Sequence, residues 1–99
     1  MDTREEILAF LHQNKSTIFS NYHLSKIGLF GSYARGDADA ESDVDIVFDF
    51  AQSPEDVYLL KSRLRTYLSS AFGRTVDLAR EKYLKPYAKD AILKETLYV

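Results

Sequence analysis

The sequence predicts one small domain of the α/β or α+β class over residues 1–99, in the order helix, strand, short helix, strand, helix, strand, helix. Three observations carry the prediction. Apolar residues recur at helical spacing in the first twenty positions and again from residue 57 to 71. Short stretches between and after them alternate apolar and polar residues with the period of two that marks a strand with one buried face. Cap and turn residues punctuate the junctions.

Thr3 with Glu6 has the pattern of a capping box, and Ile7, Leu8, Leu11 and Ile18 supply the inward face of a helix that ends around Asn21–His23. LSKIGLF, residues 24–30, has strand character and runs straight into Gly31-Ser32. A helical turn over Ser32–Gly36 and an acidic loop lead to a strand over 43–50. In that strand Val44, Ile46, Phe48 and Phe50 face one way, and Asp43, Asp45, Val47 and Asp49 the other. Ser53-Pro54-Glu55-Asp56 reads as a helix start, with Ser53 as cap, proline first and acids in the opening turn. Val57, Leu60, Leu64, Tyr67 or Leu68, and Ala71 continue it to a stop at Gly73. TVDLA, residues 75–79, is a short strand with Val76 and Leu78 on one face and Asp77 on the other, and a last helix runs from Pro86 toward Leu97. The helix between the second and third strands is long enough for a parallel crossover, whereas the link between the first and second leaves their direction open. The apolar residues near the C-terminus, among them Ala88, Ala91, Ile92, Leu93 and Leu97, read as core rather than as an interface.

Composition narrows the function. Apolar residues make up 45% and charged residues 28%, the balance of a folded chain. No apolar run approaches the roughly 18 residues of a membrane span, and MDTREEI lacks signal-peptide character. No membrane association and a cytoplasmic location are therefore expected. The chain has no cysteine, which excludes thiol chemistry and disulfides. Its net charge of −2 lacks the basic excess of a phosphate-gripping protein, so no direct contact with nucleic acid is expected. The charge is uneven: residues 31–50 hold six acids against a single base, Arg35.

Those acids pose the chemical question, because like charges stacked on one strand face repel and need compensation by water, bases or a cation. Asp43 and Asp45 lie two apart, with α-carbons ~6.6 Å apart on the same face. Paired hard oxygens suit Mg²⁺, which takes one or two carboxylates together with substrate phosphates; solvated acids on a half-exposed strand would show the same pattern. Gly31-Ser32 joins a strand to a helical turn, where a bare backbone and free N–H groups favour a phosphate. Asp77 stands alone on its strand's polar face. Were its strand to adjoin the second, three carboxylates could hold two metals ~3.5–4 Å apart, the arrangement for in-line phosphoryl or nucleotidyl transfer, with Asp77 also placed to take a proton. Other motifs fail. Gly31 and Gly36 have P-loop spacing, but Asp37 and Ala38 stand where Lys and Ser/Thr are required, and His12 and His23 lack metal-ligand spacing.

LFGSYARGDADAESDVDIVFDF carries Gly31-Ser32, ten intervening residues and then Asp43-x-Asp45. It closely resembles the signature of the nucleotidyltransferase superfamily that includes DNA polymerase beta. Within it the chain looks like a minimal nucleotidyltransferase (MNT), and the likeness extends to Val76-Asp77-Leu78 and the closing ETLYV. The resemblance implies a small mixed sheet backed by helices, a polymerase beta palm-like core, with the first two strands antiparallel. It implies Asp43, Asp45 and Asp77 as ligands of two Mg²⁺ ions, with Asp77 also the base, and Gly31 and Ser32 as the triphosphate-binding turn. Arg35 matches the family's GSxARG pattern, with a phosphate or a partner as its implied contact.

The resemblance also implies a role. Such proteins are commonly antitoxins paired with a HEPN-domain ribonuclease toxin, and resemble protein adenylyltransferases that move AMP from ATP to a tyrosine hydroxyl of that toxin. A bulky anionic nucleotide there would block RNA by sterics and charge. The alternative is an antitoxin that neutralises its toxin mainly by binding, with the nucleotidyl site secondary.

Overall fold

A computed structural model describes residues 1–99. Four strands, β1 (Leu24–Phe30), β2 (Val44–Phe50), β3 (Val76–Arg80) and β4 (Leu97–Tyr98), form its centre. They lie in the order β3–β2–β1–β4. β1 runs antiparallel to β2 and to β4, whereas β2 and β3 are parallel. The mixed sheet expected from the resemblance is present, and α4 (Val57–Phe72) is the crossover that makes the parallel pair. The other helices are α1 (Arg4–Gln13), α2 (Lys15–Tyr22), the single turn α3 (Gly31–Arg35) and α5 (Pro86–Glu95).

The alternation in β2 decides which way the sheet faces. Val44, Ile46, Phe48 and Phe50 join Ile27 and Leu29 of β1 and Val76 and Leu78 of β3 in one buried cluster. Ile7 and Leu11 of α1, Ile18 of α2 and Leu64, Leu68 and Phe72 of α4 close over it. The opposite face carries the acids, but it is not uniformly wet. Val47 is fully buried there, between its register partners Gly28 and Ala79.

Thr3 caps α1 as its sequence requires: its Oγ1 accepts from the Glu6 amide at 3.1 Å, while Glu6 Oε1 accepts from the Asp2 amide at 3.3 Å. The first helix is nevertheless two. At Asn14 the backbone leaves the helical region (φ −105°, ψ 11°), and the side-chain amide donates to the Phe10 carbonyl at 2.9 Å, a local bond that accompanies the break. The expected start at Ser53 also moves. Asp56 is the cap, its carboxylate accepting from the Leu59 amide at 2.9 Å, and Pro54 stays in the connection, where its fixed φ is harmless. At the far end of α4 the buried residue is Phe72, edge-on to Phe10 at 5.5 Å, rather than Ala71.

The C-terminus differs most. Pro86 opens α5 as expected, but the helix stops at Glu95 and the chain returns as β4. Gly28 admits that strand: a Cβ there would lie 2.6 Å from Thr96 Cγ2 and 3.0 Å from Tyr98 Cδ1. No residue of α5 is buried, so the expectation that Ala88, Ala91, Ile92 and Leu93 form core is corrected. Of the C-terminal residues, Val99 packs against the main cluster. No helix is long and apolar enough to cross a membrane.

Candidate functional site

β1 ends where β2 and β3 begin, so one end of the sheet gathers the residues singled out above. Phe30 pairs with Asp45, and Asp45 with Asp77, each in register. Gly31 follows Phe30 directly and comes against Asp45 from the other side. Its φ of +74° favours glycine, and a Cβ there would overlap the Asp45 carboxylate, 2.8 Å from Cγ. Two independent constraints thus exclude a side chain at this position. The turn is anchored from below by buried Tyr33 and Ala34. It is tied from above by Arg4, whose Nη1 donates to the Ala34 carbonyl at 2.9 Å. Gly36 and Asp37 amides close it on the Ser32 carbonyl, each at 3.0 Å.

Neighbouring strands lie about 4.8 Å apart, so the Asp45 and Asp77 carboxylates leave the same face as close neighbours, with Asp43 two residues along. Neither ion pairs nor protein hydrogen bonds engage any of the three. Asp45, half-buried, has its pKa pushed up to about 6, first by burial, then by repulsion from Asp77 and Asp43. The fourth acid on this face behaves oppositely. Burial alone would raise Asp49 too, but Arg80 Nε donates to Oδ1 at 2.8 Å, the Phe50 amide at 2.8 Å, and the Lys82 amide to Oδ2 at 3.1 Å. Together they outweigh burial, and the Asp49 pKa is lowered. One face therefore carries one neutralised acid and three bare ones.

The bare set offers what a hard divalent cation requires first, oxygen donors committed to no ion pair or protein hydrogen bond. As placed, the carboxylates neighbour one another without converging on one point. Asp43 and Asp77 are exposed and free to turn toward Asp45. The donor chemistry fits Mg²⁺. Asp43, Asp45, Asp77, Gly31 and Ser32 are brought together at this end of the sheet. The largest cleft lies elsewhere, at the other end of β1 and β2 between His23, Leu24, Pro54 and Leu59, and touches none of them.

Arg35 is committed within the chain: Nε meets Asp37 at 3.3 Å, and Nη1 meets both Glu95 oxygens at 3.3 and 3.1 Å. Glu95 Oε1 also accepts from the Gly31 amide at 3.0 Å. Sequence reasoning missed Glu95. One signal was there: an acid in the last turn of a helix sits against the dipole, where a base is favoured.

A family model described as a nucleotidyltransferase domain matches residues 6–99. The chain is 37% identical over 99 residues to protein adenylyltransferase MntA of Thermococcus cleftensis, covering 100% of this chain and 98% of that protein. A solved structure provisionally described as a minimal nucleotidyltransferase superposes with a TM-score of 0.80 at 29% identity, over 98% of this chain and 95% of that one. A tri-AMPylated HEPN toxin of Shewanella oneidensis in complex with MNT antitoxin includes a chain of similar fold: TM-score 0.63 at 20% identity, over 91% of this chain and 69% of that one.

Proposed function

The chain belongs to the nucleotidyltransferase domain family, and on that premise we propose that it is an antitoxin that transfers AMP from ATP to a tyrosine hydroxyl of a HEPN ribonuclease toxin. The observation that carries this reading is Asp45 packed against Gly31 with Asp77 opposite it and Asp43 near enough to repel it, none of the three paired with a base. The adenylyltransferase name of a relative matched over nearly its whole length supports an adenylyl donor, and the AMPylated toxin beside a chain of similar fold is in keeping with a toxin as acceptor.

Asp43, Asp45 and Asp77 would hold two Mg²⁺ ions, which would neutralise the triphosphate and stabilise charge on the attacking and leaving oxygens. The Gly31 amide and Ser32 hydroxyl would donate to oxygens of the triphosphate tail beyond the α-phosphorus, and so set that phosphorus in line with the acceptor. Asp77 accepts the tyrosine proton as the phenolic oxygen bonds to that phosphorus. The bond from the α-phosphorus to the bridging oxygen breaks, and pyrophosphate leaves. Use of ATP fits a cytoplasmic setting.

The bare α5 face favours a second contribution, neutralisation by binding alone. Intact mass of the toxin after incubation with this chain, Mg²⁺ and ATP separates the two. A gain of one or more AMP units, absent with the Asp43→Asn/Asp45→Asn double variant, supports transfer. A tight complex with no mass gain would replace it with binding.

A further inference from the structure

We propose that the Glu95 carboxylate occupies the position of a phosphate group at the Gly31–Ser32 turn, and that it must leave before a nucleoside triphosphate binds there. The inference rests on the reading of that turn as the triphosphate site. The Gly31 amide donates to Glu95 Oε1 at 3.0 Å, and Arg35 Nη1 reaches Oε1 and Oε2 at 3.3 and 3.1 Å. Carboxylate and phosphate oxygens seek the same donors. An anion of the chain itself therefore already uses an amide and a guanidinium that an incoming phosphate would use.

Glu95 is held there against its surroundings. It ends α5, where the helix dipole disfavours negative charge. It also brings another acid toward a cluster of three. With 26% of its side chain exposed, it has an open route to solvent. A polyphosphate, carrying more charge and its own counter-ions, displaces it; a ligand that does not use the turn gains nothing from its departure. The same competition acts on the pyrophosphate left after transfer and lowers its affinity for the turn. Glu95 is thus a specificity-determining residue that tunes polyphosphate affinity, not a ligand of the reacting atoms.

Equilibrium binding of inorganic tripolyphosphate, ATP and AMP, each with Mg²⁺, to the unaltered protein, Glu95→Gln and Ser32→Ala tests this. Glu95→Gln should bind tripolyphosphate and ATP about tenfold more tightly, with AMP unchanged and Ser32→Ala weaker for both polyphosphates. Unchanged or weaker binding by Glu95→Gln, with Ser32→Ala still impaired, overturns the competition and leaves the turn's role standing. Failure of every protein to bind either polyphosphate overturns both. Should the glutamine variant fold poorly, the ¹³C resonance of the Glu95 carboxyl decides in the unaltered chain. It must move to that of a solvated carboxylate as tripolyphosphate saturates, and a fixed resonance overturns the proposal.

Discussion

Asp45 and Asp77 stand directly opposite each other on adjacent parallel strands, with no base between them. Side chains across such a ladder interact, and like charges there are destabilising. The repulsion shows in the proton affinity of Asp45, whose pKa is pushed up to about 6 by burial and then by Asp77 and Asp43. That strain makes separable predictions about stability and about activity.

Asp45→Asn should stabilise the protein at pH 8 and end transfer. The folded pKa of Asp45, about 6, lies above its ordinary value. The folded state therefore binds the extra proton, and the stability this group contributes is present at low pH and lost as pH rises through about 6. Asparagine removes that loss. Thermal melts should show a higher Tm for the variant at pH 8, with the gain shrinking toward pH 4. A lower Tm at pH 8 would contradict the proposed strain. Transfer should fall by more than about a hundredfold.

Activity of the unaltered enzyme should climb with pH through about 6, because only ionised Asp45 can bind a cation. Raising Mg²⁺ should shift the midpoint downward, as cation competes with proton. A rate profile flat between pH 5 and 8 would remove Asp45 from the reaction.

Asp49→Asn should act in the opposite sense. Arg80 and two amides stabilise the charged form of Asp49, so its contribution is present at neutral pH and lost as pH falls through its lowered pKa. Loss of the charge should cost about 1–3 kcal/mol at pH 7, measured by urea unfolding, with a difference that narrows in acid. Two identical substitutions four residues apart on one strand face would then differ in sign.

Gly31→Ala should destabilise by about 1–3 kcal/mol and abolish ATP binding, because the methyl meets the Asp45 carboxylate and strains a φ of +74°. Asp45→Gly in the same chain should recover part of the stability and none of the binding. Calorimetry and urea unfolding read both; absence of any recovery would show that backbone strain, not the carboxylate, sets the penalty.

Much of this was legible in the sequence because it depends on period and on local chemistry. VDIVFDF can bury only one set of alternate residues, which fixes β2, its apolar face and the side on which Asp45 emerges. Gly31 was legible as a turn, but the overlap that demands glycine involves Asp45, a neighbour no local pattern reveals. β4 was illegible: two residues carry no alternation, and Gly28, which admits them, is 70 positions away from Tyr98. Ser53 and Asp56 are both good caps three residues apart, and only the packing of α4 chooses between them. Asp49 and Asp45 look alike in sequence; Arg80, supplied by another strand, makes one structural and leaves the other bare.

The Asp49 anchor has a consequence for strand alignment. Sliding β2 by two residues against β3 would keep every apolar side chain on its own face and would part Asp45 from Asp77, which their repulsion favours. Held by Arg80 Nε and the Lys82 amide, Asp49 pins the far end of β2 to the end of β3 and the chain just beyond it, and opposes the slip. Register here is reinforced by charge as well as by the seat of buried Val47 opposite Ala79, and the acid outside the site helps keep the two within it abreast.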